Sequence, residues 1–234
     1  MEMNRQIILD TETTGLDVTR KHKIIEIGCV ELVDRKYTGN NFHHYLNPER
    51  KIDQGAINVH GISNEFLEDK PLFIDVKDDF LNFIRGAELI IHNAPFDVGF
   101  IEHEFNFINQ KLKLSDECKI FDTLLYARRL HPGQKNSLDA LCKRYNVDNS
   151  SRDFHGALLD AKILGDVYLS MTGGQTSFDL PQKEQNRQKE TKEELSGTFV
   201  VIEANDEELR EHQELCNKID EISKGRCIWK ISKF

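Results

Sequence analysis

Two carboxylates close a short apolar run. Ile7-Ile8-Leu9 leads into Asp10-Thr11-Glu12-Thr13-Thr14-Gly15, and a brief β-branched, apolar stretch reads as a buried strand. Side chains alternate across a strand, so Asp10 and Glu12 point to the same face. Two acids side by side at a buried strand end repel each other. A divalent cation relieves that repulsion, and hard oxygen ligands suit magnesium or manganese. The plainer reading of these two acids alone is a strand that runs out into a polar Thr-Thr-Gly turn.

Two further acids have distinctive neighbours. Leu89-Ile90-Ile91 reads as a second buried strand and is followed by His92-Asn93-Ala94-Pro95-Phe96-Asp97-Val98-Gly99-Phe100. Asn93 can cap a helix and Pro95 suits its first turn. Asp97 then falls in that first turn, at the mouth of the strand, where an acid would also do no more than complement the helix dipole. In His155-Gly156-Ala157-Leu158-Leu159-Asp160-Ala161, the spacing predicts a helix from Ala157 to Met171 with Ile163, Val167 and Met171 on one face. Asp160 lies in its first turn and is open to the same plain reading. His155 precedes the helix, with Gly156 giving the backbone freedom between them.

The order DTETTG, HNAPFD, HGALLDA resembles the three motifs of the DEDDh group of 3′→5′ exonucleases. Within that group the chain is similar to the proofreading subunits of bacterial DNA polymerase III. The resemblance covers roughly residues 5–172 and runs through Val59-His60-Gly61-Ile62. It implies an α/β, ribonuclease H-like fold: a mixed sheet flanked by helices. It also implies a reaction, the hydrolysis of the terminal phosphodiester at a DNA 3′ end with release of a nucleoside 5′-monophosphate. Asp10, Glu12, Asp97 and Asp160 are then the ligands of two divalent cations, Mg2+ or Mn2+, and His155 is the general base, its ordinary pKa near 6.5 suiting that task. Backbone donors of Thr13 to Gly15, together with Asp10 and Glu12, are expected against the terminal nucleotide. Phe96 and His60 are expected to stack on it or hold it. His92 is expected to support the site from behind. His22, His43, His44, His103, His131 and His212 have no motif context and read as surface residues.

Composition fits such a protein but limits how it meets DNA. The 234 residues suit one domain with an appendage, and the formal net charge is −9. A free-standing nucleic-acid binder normally presents a basic footprint. The acidic balance therefore argues against strong independent DNA binding, though not against acting on DNA delivered by a partner. Five cysteines (Cys29, Cys118, Cys142, Cys216 and Cys227) have no CxxC spacing and read as reduced thiols. With no signal peptide and no apolar run of membrane length, a cytoplasmic protein is expected.

The elements that must position these residues follow from pattern. Strand-like runs at Gln6 to Thr11, Lys23 to Val33 and Asn41 to Leu46 are separated by Arg35-Lys36 and Gly39-Asn40, which suits an antiparallel meander. Beyond them helix and strand alternate. Ile74 to Ile84 is amphipathic with Phe80, Leu81 and Ile84 inward, Glu88 to Ile91 is a strand, Asp97 to Ile108 a helix, and Cys118 to Phe121 a short strand. Asp122 to Leu130, Leu138 to Tyr145 and Ala157 to Met171 complete a helical half. Strands first and alternation afterwards argue for a mixed sheet.

Residues 1–174 are thus read as the exonuclease domain, closed by Gly173-Gly174. Residues 175–180, Gln175-Thr176-Ser177-Phe178-Asp179-Leu180, look like a peptide for a sliding (beta) clamp, with Gln175, Phe178 and Leu180 as its contacts. Residues 181–197 are almost wholly polar and read as a flexible linker, spanning on the order of 20–25 Å as a coil. Residues 198–234 predict a strand at Thr198 to Ile202, a helix from Asn205 to about Ser223 and an end bearing the only tryptophan, Trp229. So short a segment builds little core. It is read as docking on a partner, which the resemblance identifies as the polymerase catalytic (alpha) subunit; the alternative is a small satellite packed on the chain's own domain. A small theta-like accessory subunit is a further partner the family allows. Two rival functions stand beside this one: a DEDDh ribonuclease acting on RNA 3′ ends, and a mainly structural polymerase subunit.

Overall fold

Ile7, Ile8 and Leu9 are fully buried because strand β1 (Arg5–Thr13) lies at the centre of a five-stranded sheet with helices on both faces. A strand covered on both sides needs a continuous apolar run rather than an alternating one. The sheet order is β3-β2-β1-β4-β5. Strands β2 (Ile24–Val33) and β3 (Lys36–Tyr45) extend β1 as an antiparallel meander, whereas β4 (Glu88–Ile91) and β5 (Lys119–Asp122) run parallel to it. This is the mixed α/β sheet that the ribonuclease H-like resemblance implied. A computed structural model describes residues 4–150, 152, 154–173 and 204–223. The chain divides into two units, Met1–Asp179 and Leu180–Phe234.

Helices cover the sheet in two groups. On one face, Ile7, Leu9, Leu89 and Ile91 pack against α3 (Phe73–Ile84) and α4 (Ala94–Phe107) through Phe73, Val76, Phe80, Ile84, Phe100, Ile101 and Phe105. On the other, Ile8, Val30, Leu32 and Ile90 meet Ala161, Leu164 and Tyr168 of α8 (Ala157–Thr172). The far side of α8 holds α6 (Thr123–Leu130) and α7 (Leu138–Tyr145) through Ile163, Val167 and Met171 against Ala127, Leu141 and Cys142. A glycine permits the closest approach. A Cβ on Gly28 would lie 2.3 Å from the backbone of Ala157 and Leu158, so only glycine lets the start of α8 rest on β2. Gly28 is the strand partner of Asp10.

Several expectations are corrected. Gly39-Asn40 is not a turn between strands but lies inside β3, at a register irregularity opposite Val30 to Leu32; Glu31 accepts hydrogen bonds from Thr38 and Asn40 there. The β2–β3 turn is Asp34-Arg35, both with positive φ, a primed hairpin turn. Asn93 does not cap α4 with its side chain. It adopts the left-handed conformation, and Asp122 Oδ2 accepts from Ala94 N–H instead. Gly156 has an ordinary extended backbone, so its freedom is not used. Helices α1 (Gln54–His60), α2 (Asn64–Leu67) and α5 (Leu114–Glu117) lack a broad apolar stripe in sequence and were not foreseen.

In the second unit, α9 (Asp206–Ile222) begins at an Asn205–Glu208 capping box, and Leu209, Leu215, Ile219 and Ile222 are exposed along it. The clamp-like peptide with Gln175, Phe178 and Leu180, the linker, the strand expected at Thr198 to Ile202, and Trp229 lie outside the described residues. No helix among the described residues is long and apolar enough to cross a membrane.

Candidate active site

Three elements bring the four acids together. Asp10 and Glu12 sit at the C-terminal end of β1. Asp97 lies in the first turn of α4, which follows the adjacent parallel strand β4, and Asp160 in the first turn of α8. A crevice at the carboxyl ends of parallel strands is where α/β sheets commonly hold ligands. One cleft of about 630 Å3 is lined by Asp10, Glu12, Asp97 and Asp160 together with His155. Thr11, which alternation turns to the opposite face from its neighbours, fixes Asp97 by donating its hydroxyl to Oδ1 at 2.7 Å.

These acids resist ionisation together. Withdrawal from water pushes Asp10 well above the usual carboxylate range, and Asp97, Glu12 and Asp160 push it further. Glu12 rises to about 8, first through burial and then through Asp160 and its cross-strand partner Glu26. Burial lifts Asp97 to about 7 against the opposing hydrogen bonds from Thr11 and the backbone. A cluster held this way calls for positive charge.

Part of that charge comes from a residue the sequence did not single out. Arg152 lies three positions before His155, and its Nη2 donates to Asp160 Oδ2 at 2.6 Å. Its Nε lies 2.5 Å from Asp160 Oδ1, its Nη1 pairs with Asp139 at 2.6 Å, and Nη2 also meets His155 Nδ1 at 2.8 Å. Asp160 Oδ1 is nevertheless buried with no aligned hydrogen-bond donor. Ligand atoms of Glu12, His155 and Asp160 all fall within 4.8 Å of one another. All-oxygen carboxylate donors, an orphaned carboxylate oxygen and a guanidinium standing in for a cation fit a divalent metal site. A lone arginine in a loop carries no pattern in sequence, which is why it escaped notice.

His155 is placed by its backbone as well as its ring. Its N–H donates to Val59 O at 3.1 Å, and the Phe154 ring packs on Gly61, so the loop before α8 is tied to the end of α1. The ring is part-exposed, with Nδ1 3.4 Å from Asp160 Oδ2. His92 donates to or accepts from Thr123 Oγ1 at 2.9 Å in the wall of the cleft, a supporting position.

A second cavity of about 450 Å3 adjoins the first and shares Thr11, Glu12 and Phe96 with it. Thr13, Gly15 and His60, expected near substrate, line it with Leu16 and Val59. His60 Nδ1 accepts from Ile62 N–H, leaving Nε2 buried without a partner. Of the backbone donors expected between Thr13 and Gly15, that of Thr14 is spent on Lys23 O. His22 is corrected from surface to buried. It meets Thr14 Oγ1 at 3.0 Å, and its ring fills the space where a Cβ on Gly15 would stand. His43 and His131 likewise have partners, Glu26 and Tyr145.

The chain is similar to known exonucleases. A family model described as "Exonuclease" matches residues 7–168. The chain is 48% identical to the DNA polymerase III subunit epsilon of Salmonella typhimurium, with 97% of this chain and 98% of that protein covered. The figures are the same for the subunit epsilon of Escherichia coli. Among solved structures, exonuclease X in complex with 5′ overhanging duplex DNA superposes with a TM-score of 0.58 at 28% identity, covering 72% of this chain and 91% of that one.

Proposed function

Because this chain belongs to the exonuclease family, and within it to the DNA polymerase III epsilon subunits, we propose that it removes mispaired nucleotides from a primer 3′ end as the proofreading exonuclease of the replicative polymerase. The observation that carries the reading is the pairing of two adjoining cavities. One holds four carboxylates and His155; the other is large enough for a nucleoside, and Glu12 and Phe96 stand on their border.

Asp10, Glu12, Asp97 and Asp160 would hold two divalent cations, Mg2+ or Mn2+. When bound, these supply a polarised water and stabilise charge on the departing oxygen. Thr11 keeps the Asp97 carboxylate aimed into the cleft. His155 accepts the proton of the attacking water at Nδ1, the ring nitrogen turned toward Asp160. The terminal nucleoside lies in the cavity of Thr13, Gly15, His60 and Phe96. His60 and the Phe96 ring line that cavity and would hold or stack on the terminal base or sugar. A water-poor pocket for one nucleoside favours an end that can leave its duplex, and a mispaired end does so at lower cost than a paired one.

Domain roles follow. Residues 1–174 carry the chemistry. Residues 175–180 bind the sliding clamp through Gln175, Phe178 and Leu180, residues 181–197 serve as a tether, and residues 198–234 bind the polymerase alpha subunit with Trp229 as an anchor. The exposed Leu209, Leu215, Ile219 and Ile222 of α9 support a docking role for that last segment. A theta-like subunit is compatible with this assignment. The formal charge of −9 agrees with DNA delivered by a partner rather than captured alone.

The test compares nucleoside 5′-monophosphate release from matched DNA and RNA 3′ ends by the wild type and by Asp10→Ala. Faster release from DNA, lost in Asp10→Ala, supports the reading. Preference for RNA ends would favour the ribonuclease alternative. DNA degradation that persists in Asp10→Ala would mean the nuclease centre lies elsewhere.

A further inference from the structure

Arg152 is unexplained by the reaction as described. Its side chain is 8% exposed, against 3% for Asp160 and 55% for Asp139. A guanidinium does not lose its proton in a protein, so Arg152 cannot become neutral to admit a second cation; it can only move. Its Nη2 donates to Asp160 Oδ2, and its Nε lies close to Oδ1 without the alignment of a hydrogen bond. Nη2 also lies against His155 Nδ1, so one nitrogen covers a proposed metal ligand and the atom proposed to take the water's proton. Asp139, on α7, grips the opposite edge of the guanidinium and is not among the four acids.

From this geometry we propose that Arg152 is a built-in counter-cation of the metal site. It neutralises Asp160 in the metal-free protein, is displaced when a divalent cation binds there, and uncovers His155 in the same movement. It is a positioning residue acting through Asp160 and His155, and Asp139 holds the guanidinium in that seat. The inference rests on the metal-site reading above. A ligand that must displace a resident group has its affinity reduced to the fraction of molecules in which the seat is free. Removing the guanidinium therefore strengthens metal binding, although it removes the charge that stabilised the empty site.

The experiment is calorimetric titration of Mn2+ into the full chain, with thermal unfolding in EDTA and in Mn2+, for wild type, Arg152→Gln, Arg152→Lys and Asp139→Asn. With the seat about 90% occupied by Arg152, Arg152→Gln tightens Mn2+ binding on the order of tenfold. The Mn2+ concentration for half-maximal nuclease activity should fall by the same factor. Arg152→Gln should lower the melting temperature in EDTA and lose that deficit in Mn2+. Arg152→Lys, which keeps the charge without the fork, should fall between. Asp139→Asn, at an exposed position, should tighten Mn2+ binding more weakly and tests the inference should Arg152→Gln not fold. A merely structural arginine would lower the melting temperature equally with and without Mn2+. That result, or Mn2+ affinity unchanged or weaker in both Arg152→Gln and Asp139→Asn, would overturn the inference and leave the metal site standing. Wild-type protein that binds no Mn2+ would overturn the metal-site reading and this inference together.

Discussion

Gly28→Ala tests how the fold positions the chemistry, because it touches no proposed site residue. The added Cβ would lie 2.3 Å from Ala157 C and Leu158 N. Carbon atoms rest at about 3.5–4.0 Å. The start of α8 must therefore withdraw from β2 by something over ~1 Å, because the obstacle is backbone with no rotamer to change. Overpacking of this kind costs about 1–3 kcal/mol, or roughly 2–12 °C in melting temperature for a domain of this size. The displaced turn carries Asp160, and Asp10 is the strand partner of Gly28. A misplacement of ~1 Å at a reacting centre can lower the rate about 10²-fold. Urea unfolding gives the first quantity, and single-turnover digestion of a mispaired primer, corrected for folded fraction, gives the second. A Gly28→Ala protein with the wild-type midpoint and rate would show that contact with α8 does not set the geometry.

Four further outcomes are expected. Asp10→Ala or Asp160→Ala should remove nearly all nuclease activity while circular dichroism stays native; activity within about tenfold of wild type, well under 2 kcal/mol of barrier, would contradict the ligand assignment. His155→Ala should slow turnover by roughly 10²–10⁴ and keep Mn2+ binding, and normal turnover at neutral pH would refute the general-base role. In EDTA, stability should fall as pH rises from about 4.5 to about 8, because burial raises Glu12 to about 8 and Asp97 to about 7, so the folded state holds protons that the unfolded chain has released. That stability is complete below the unfolded carboxylate values, and Mg2+ should flatten the slope; urea midpoints that rise with pH through this window in EDTA would oppose the account. Truncation after Gly174 should leave an active nuclease that no longer co-elutes with the polymerase alpha subunit, and retained tight binding would mean the C-terminal segment is not the tether.

Local rules place each acid at a punctuation point, a strand end or a helix start, but their role as ligands was read from the order of the three motifs, since each acid alone also fits a plainer reading. Strands β1, β2 and β4 were legible from their apolar runs: Ile7-Ile8-Leu9 and Leu89-Ile90-Ile91 are long enough in apolar character to need two-sided burial. What escaped depends on contacts distant in sequence. Arg152 matters only because α7 brings Asp139 and α8 brings Asp160 to it. His22 is buried only because the Thr14-Gly15 turn folds over its ring. Helix α1 buries little but His60, so it shows no stripe, yet its end holds the loop of His155 through Val59. Gly39-Asn40 resembles a turn in composition and is overridden by hydrogen bonds to Glu31, which keep β3 continuous.

The most direct test of the central claim is digestion of a primer with a mispaired 3′ end, in Mg2+ and in EDTA, with the released product identified. The account predicts nucleoside 5′-monophosphate in Mg2+, faster from the mispaired than from the paired end, and none in EDTA. Release that continues unchanged in EDTA, or product that is not a 5′-monophosphate, would contradict a metal-dependent hydrolytic centre at Asp10, Glu12, Asp97 and Asp160.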